Sequence, residues 1–271
     1  MKDRPIGIFD SGLGGLTAVS ETLRLMPDED YIYFGDTARI PYGTRSTEVI
    51  RKYSMQDCRF LISNNVKAIL VACGTVSSNA LGMLQNSFDL PIVGVIEGAA
   101  KRAAEIAEAG NGIVAVLGTD ATIKSEAYKK AIQKINPSVY IMSKNCPMFV
   151  PLVENGHIHK QDIAANAIAN EYLSKIAPLK PAAVILGCTH YPLLSNIISN
   201  ILPDSILVSS GREAASILKK KLTESELISG TGSGKISFYT SDDVELFAKN
   251  AGRFFGKDIS DNIFRTDIEN Y

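Results

Sequence analysis

Two cysteines carry the strongest chemical signal in this sequence. Ala68-Ile-Leu-Val-Ala-Cys73-Gly-Thr75 and Ala183-Val-Ile-Leu-Gly-Cys188-Thr-His190 each run through an apolar stretch and a small residue to a thiol, then to polar side chains. The thiols lie 115 residues apart, about one domain's worth of chain. A cysteine, with a reference pKa of ~8.5 that neighbours can tune, serves as a proton acceptor when ionised and as a donor when not. Two thiols on opposed strand ends suit a reaction in which a proton leaves one face of a carbon and another arrives on the opposite face. Cys58, inside a helical pattern, and Cys146 fit the commoner role of a small buried hydrophobe. Thr75, Ser77, Thr189 and His190 are unlike the surroundings of an inert thiol. His190, one of three histidines with His157 and His159, follows Cys188 by two residues and is placed to tune it.

A third candidate is Asp10-Ser11-Gly12-Leu13-Gly14-Gly15, which follows the first apolar strand and opens a helix. Its glycines allow close backbone approach, and a helix N-terminus favours an anion. The stretch lacks the full GxGxxG spacing of a dinucleotide loop, so it marks a ligand site without naming the ligand. Gly230-Thr-Gly-Ser-Gly234-Lys235 imitates a P-loop but has Ser229 and Ile236 where glycine and a hydroxyl residue are required. Ser229 to Lys235 reads instead as a flexible linker.

These residues need a frame that brings strand ends together. Short β-branched runs recur at Pro5 to Phe9, Tyr31 to Phe34, Ala68 to Ala72, Ile92 to Val95, Ile113 to Leu117, Val139 to Ser143, Ala183 to Leu186, Ile206 to Val208 and Lys235 to Thr240. Helical periodicity fills segments between them, including 49–63, 98–109, 126–135 and 162–176. Alternation of this kind predicts an α/β fold of mainly parallel sheets flanked by helices, with ligands beyond the carboxyl ends of the strands. The echo between the two cysteine strands suggests a weak internal duplication and two pseudo-symmetric lobes facing a cleft. Lobe one is expected over residues 1–97 plus 209–271 and lobe two over 98–208. Helices are expected to start near Ser77-Ser78-Asn79 after the first thiol and near Pro192-Leu193 after the second.

Composition sets the outer bounds. The chain has 271 residues, 45% hydrophobic and 21% charged, with a formal net charge of -1. That balance supports a buried core and offers neither a nucleic-acid nor a membrane surface; Lys219-Lys220-Lys221 reads as a solvated helix end. The N-terminus shows no signal-peptide pattern, and no apolar run reaches the ~18 residues of a membrane span, so a cytoplasmic location is expected. The four cysteines have no CxxC or zinc-finger spacing, so neither disulfides nor a metal site is expected.

With these stretches assembled, the sequence strongly resembles the glutamate racemases of the aspartate/glutamate racemase superfamily, over nearly its whole length. The resemblance rests on Phe9-Asp-Ser-Gly-Leu-Gly-Gly-Leu16, Tyr33-Phe-Gly-Asp-Thr-Ala-Arg-Ile-Pro-Tyr-Gly43, Cys146-Pro-Met-Phe-Val-Pro-Leu-Val-Glu154 and Gly187-Cys-Thr-His-Tyr-Pro-Leu-Leu194. It implies a cofactor-independent isomerase that interconverts L- and D-glutamate and supplies D-glutamate for peptidoglycan, cell wall and cell shape, acting as a homodimer. It implies that Cys73 abstracts the proton from D-glutamate and Cys188 from L-glutamate, with Asp10 beside Cys73, His190 beside Cys188 and Glu154 behind His190. Ser11, Pro41, Tyr42, Gly43, Gly74, Thr75, Thr119 and Thr189, with Asp10 and His190, are implied to hold the substrate.

Two positions depart from the family's pattern. Gly74 stands where the family carries Asn, so a side-chain amide near the substrate is missing, a loss of ~1.5–3 kcal/mol unless replaced by water, Ser77 or Ser78. Val208-Ser209-Ser210-Gly211 stands where the family has Asp-Ser-Gly, removing a structural carboxylate. The competing readings are a related aspartate racemase or small-acid isomerase, a non-catalytic binding protein on the same fold, and a nucleotide enzyme using the glycine loop.

Overall fold

The computed structural model describes residues 2–229, 232–256 and 259–271. Ten strands form two sheets: β1 (Ile6–Asp10), β2 (Tyr31–Gly35), β3 (Ala68–Val71), β4 (Ile92–Gly94), β5 (Ile113–Gly118), β6 (Tyr140–Asn145), β7 (Ala183–Leu186), β8 (Ile206–Ser209), β9 (Ile236–Thr240) and β10 (Ile263–Arg265). The first sheet runs β10-β9-β2-β1-β3-β4 and the second β6-β5-β7-β8. Every strand pairing among the described residues is parallel. The inner strands β1, β3 and β7 are buried along their whole length, which explains why their sequences are continuously apolar rather than alternating.

The order β2-β1-β3-β4 in one sheet repeats as β6-β5-β7-β8 in the other. The strands that end in Cys73 and Cys188 therefore hold equivalent places, as the echo between their sequences predicts. The chain returns to the first sheet with β9 and β10, which extend it beyond β2. β10 is absent from the sequence-based expectation: it is three residues long, and Phe264 and Arg265 are exposed, so no pattern announces it.

Helices cover the sheets, and local chemistry starts several of them. Ser46, Asp162 and Asp243 cap the helices Thr47–Ser63, Ile163–Leu173 and Val244–Phe255 by accepting the N–H of Val49, Ala165 and Leu246. Beyond Cys73 the helix begins at once, Gly74–Asn79, rather than near Ser77. Beyond Cys188 the chain bends and forms a 3₁₀ turn, Tyr191–Leu194, before the helix Ser195–Ile201.

One apolar core is continuous between the lobes. It runs from the helix Leu16–Leu25 under β1 through the helices Ser210–Glu224 and Ile96–Ala109 to β5 and β7. A second core, with Phe9, Phe34, Phe60, Ile69 and Val71, lies on the other face of the first sheet. Within Val208-Ser209-Ser210-Gly211, where an Asp-Ser-Gly was expected, Ser209 ends β8 and caps the helix that follows, and Val208 before it is buried. Of the segment read as a flexible linker, Gly230 and Thr231 lie outside the described residues. Its flanks are held: Ser229 N–H donates to Glu29 (2.8 Å), and Ser233 and Lys235 N–H donate to Asp30 (3.1 and 3.0 Å). Lys219 and Lys220, in the last turns of Ser210–Glu224, bond the Leu25 carbonyl and Glu224. No helix among the described residues is long and apolar enough to cross a membrane.

Candidate active site

Adjacent parallel strands bring their ends to one place, and β1 beside β3 brings Asp10 to Cys73. Asp10 is wholly buried; its Oδ2 accepts the N–H of Gly12 (3.2 Å) and Gly15 (3.0 Å), and its Oδ1 has no partner. Burial raises its carboxyl above the usual range, against the opposing pull of His190 and the loop N–H groups. The Cys73 thiol, also buried, lies 3.6 Å from Ser11 Oγ. Burial first, then the nearby Asp10 charge, pushes Cys73 up to about 12. Cys73 therefore holds its proton at neutral pH.

The other half has a cationic neighbour. Cys188 Sγ is 3.8 Å from His190 Nδ1, and His190 Nε2 is 3.1 Å from Glu154 Oε1. Burial disfavours the imidazolium, yet the bonds to Cys188 and Glu154, with the charges of Cys188 and Asp10, outweigh it and lift His190 to about 10. Phe254 meets the imidazole edge-on at 5.3 Å. Arg253 steadies the turn carrying Glu154 by donating to the carbonyls of Val153 and Glu154.

The glycine loop serves this meeting of halves. A Cβ on Gly14 would lie 2.3 Å from Thr189 Oγ1 and 2.5 Å from His190 Nδ1. Its glycine is what lets the first lobe's loop close onto the Cys188 loop.

Between the thiols lies a cavity of about 310 Å³, at the small end of ligand pockets. Cys73, Cys188, His190 and Glu154 line it together with Ser11, Pro41, Tyr42, Gly43, Gly74, Thr75, Thr119 and Thr189; Asp10 sits behind the wall. All of the residues that the family resemblance implies for catalysis and substrate binding thus lie at one place. Thr75 of the first lobe and Thr119 of the second share a 2.9 Å hydroxyl bond, and Gly43 packs on Thr119, so the two lobes touch on this wall as well.

Three details differ from the sequence reading. Tyr42 lines the cavity but its hydroxyl is engaged elsewhere, against the buried carboxyl groups of Asp36 and Asp57. Ser77 and Ser78 do not replace the missing amide: Ser77 Oγ donates to the Val71 carbonyl (3.1 Å) and accepts Val95 N–H, and Ser78 Oγ donates to the Thr75 carbonyl (3.1 Å). Neither lines the cavity. Third, there is no space at Gly74 for a side chain as the structure stands, since a Cβ would lie 2.3 Å from the Gly187 carbonyl oxygen.

The sequence reading missed further wall residues: Ile40, Thr44, Asp120, Pro147, Val150 and Pro151. Pro147, Val150 and Pro151 fall inside the stretch 146–154, which was the available signal. Also missed was the cluster that anchors the wall, in which Arg39 bonds Asp36 (2.6 Å), Gln56 (2.6 Å), Asp57 (3.0 Å) and Glu269 (3.2 Å).

Fold and site together define a class: two-lobed parallel α/β proteins with a small cleft flanked by opposed thiols. Comparison with known proteins agrees, because the model of the Asp/Glu/hydantoin racemase family matches residues 13–216. The chain belongs to that family. It is 42% identical over 268 residues to a glutamate racemase of Geobacter metallireducens, covering 98% of this chain and 97% of that protein. A glutamate racemase of Persephonella marina is 42% identical over 94% of each chain. The crystal structure of glutamate racemase from Francisella tularensis in complex with D-glutamate superposes with a TM-score of 0.92, at 36% identity and full coverage of both chains. An aspartate racemase homologue from Pyrococcus horikoshii, at 17% identity and a TM-score of 0.56, shares the fold alone.

Proposed function

We propose that this protein interconverts L- and D-glutamate by two-base proton transfer, with Cys73 and Cys188 as the bases and no cofactor. The observation that carries the reading is the pair of thiols at equivalent strand ends, facing one small cavity, each backed by its own ionisable partner. The glutamate racemases among its relatives supply the substrate.

For L-glutamate, Cys188 acts as thiolate and takes the α-proton while the Cys73 thiol delivers its proton to the opposite face. The reverse holds for D-glutamate. The C–H bond breaks on one side and forms on the other, so atoms and charge balance and the two thiols exchange protonation states. The α-proton is a very weak acid, and hydrogen-bond donors fixed in a closed cleft stabilise the charge that develops as it leaves. Backbone N–H groups at Ser11, Gly43, Gly74 and Thr75, with the hydroxyls of Thr75, Thr119 and Thr189, are assigned to the substrate's carboxylates and ammonium group. His190 favours negative charge on Cys188, and Glu154 orients the imidazole. Asp10 sets the state of Cys73.

The same reading makes the protein a cytoplasmic homodimer that supplies D-glutamate for peptidoglycan. It divides the chain into residues 1–97 plus 209–271 and residues 98–208. Pure protein incubated with each enantiomer of glutamate and of aspartate, without added cofactor, tests it. The circular dichroism of glutamate is expected to decay to zero from either enantiomer. Preference for aspartate would move the substrate and spare the mechanism. Activity lost on dialysis and restored only by pyridoxal phosphate would overturn both.

A further inference from the structure

The loop carrying Cys188 belongs to the second sheet, yet the first lobe grips it on both flanks. On one flank, Gly74 lies so close to Gly187 that a Cβ would stand 2.3 Å from the Gly187 carbonyl oxygen and 3.3 Å from its carbon. Gly187 has no room to retreat: its N–H donates to the Leu117 carbonyl at 2.8 Å, and its own Cβ position lies 2.6 Å from that oxygen. On the other flank, Thr17 Oγ1, in the first turn of the helix Leu16–Leu25, lies 3.0 Å from the Thr189 carbonyl and 2.8 Å from that of Gly14. Cys188 is thus held between a backbone seat and a hydroxyl tie, both supplied by the opposite lobe.

Thr17 stands apart from the substrate cavity. It lines a space of about 10 Å³ behind that cavity, with Gly74, Gly187, Thr189 and Ser210, room for about one water. A side chain there has no access to substrate, so whatever it does for the reaction passes through the loop it holds.

We propose that Thr17 and Gly74 are positioning residues that place the Cys188 thiol against the α-carbon. The inference rests on the two-thiol reading and deepens it. Proton transfer is steep in distance, and a misplacement of about 1 Å costs on the order of 100-fold. Thr17, which sets the thiol's position without touching substrate, acts on kcat and leaves KM alone, whereas Gly74 also lines the substrate cavity. Gly74 thereby acquires a role that its missing amide does not describe: the absent side chain is what lets the lobes meet at Gly187.

The test is steady-state kinetics of the full-length chain in both directions, with thermal melting as the check on folding. Thr17→Val keeps the side-chain shape and removes the donor; it is expected to lower kcat by about 10-fold, one hydrogen bond's worth, with KM within ~3-fold. Thr17→Ser is expected to restore kcat. Gly74→Ala and Gly74→Asn are both expected to lower kcat by about 100-fold. Wild-type kcat in Thr17→Val, or loss of kcat in Thr17→Ser as well, overturns the proposal. A Gly74→Asn variant with lower KM and unchanged kcat also overturns it, since the amide would then be a simple missing contact. If the Gly74 variants do not accumulate folded, the Thr17 pair decides. A wild type that racemises no glutamate refutes the functional reading itself, a different outcome from active wild type with an indifferent Thr17.

Discussion

Cys73 and Cys188 end equivalent strands of two sheets that share a four-strand order, but one has a carboxyl neighbour and the other an imidazole. Cys73 is sealed beside a buried carboxyl, Asp10, and is pushed up to about 12. Cys188, partly open to the cavity, lies beside an imidazole lifted to about 10, which is a cation at neutral pH. A two-base reaction needs its bases in opposite protonation states when substrate arrives. The repeated strand order supplies the geometry, and the unlike partners make the two thiols inequivalent. On this reading Cys73 rests with its proton in place, the state from which it delivers a proton when L-glutamate is the substrate.

The hardest test of that contrast removes a thiol. Cys73→Ala and Cys188→Ala are each expected to reduce racemisation by about 10³-fold or more, because one face loses its proton carrier. Polarimetry from either enantiomer checks this, and near-normal activity in Cys188→Ala would end the two-base assignment. Removing a partner comes next. Asp10→Asn and His190→Gln are each expected to cost roughly 100-fold in kcat. Wild-type activity is expected to decline as pH rises through about 10, where His190 loses its charge, and His190→Gln is expected to lack that limb.

The same histidine gives a smaller effect on stability. Its folded-state pKa, about 10, lies above the ordinary 6.5, so the folded protein binds the proton more tightly. The stabilisation is therefore full below pH ~6.5 and lost as pH rises through about 10. The melting-temperature gap between wild type and His190→Gln, followed across that range, is expected to shrink. The smallest effects belong to the two remaining thiols. Cys58→Ala and Cys146→Ala, both buried away from the cavity, are expected to keep turnover within a few-fold and to cost ~1–2 kcal/mol in denaturant unfolding.

How much of this was legible in the sequence follows from the range of each interaction. Nine strands showed as β-branched apolar runs, clearest where both faces are buried, as in β1, β3 and β7, whereas β10 left no such mark. The helix at Gly74 starts earlier than expected because Gly74, Thr75 and Ser77 are poor helix formers held by tertiary contacts. The catalytic candidates were legible through the echo of Cys73 in Cys188. Thr17 and Arg39 were not, since their meaning depends on partners 172 and 230 residues away, Thr189 and Glu269. Gly74 was visible as a departure, but only the position of Gly187 shows what glycine does there.

The continuous core beneath the cleft bears on how the molecule comes apart. The helices Leu16–Leu25, Ser210–Glu224 and Ile96–Ala109 pack in succession between the sheets, and their buried side chains belong to one cluster with β1, β5 and β7. Pulling the sheets apart would expose that cluster to water on both sides, at roughly 25 cal/mol for each Å² uncovered. Neither lobe is then an autonomous folding unit, despite its own sheet. Calorimetry is expected to show a single cooperative transition, and two separate transitions would mark lobes that fold independently.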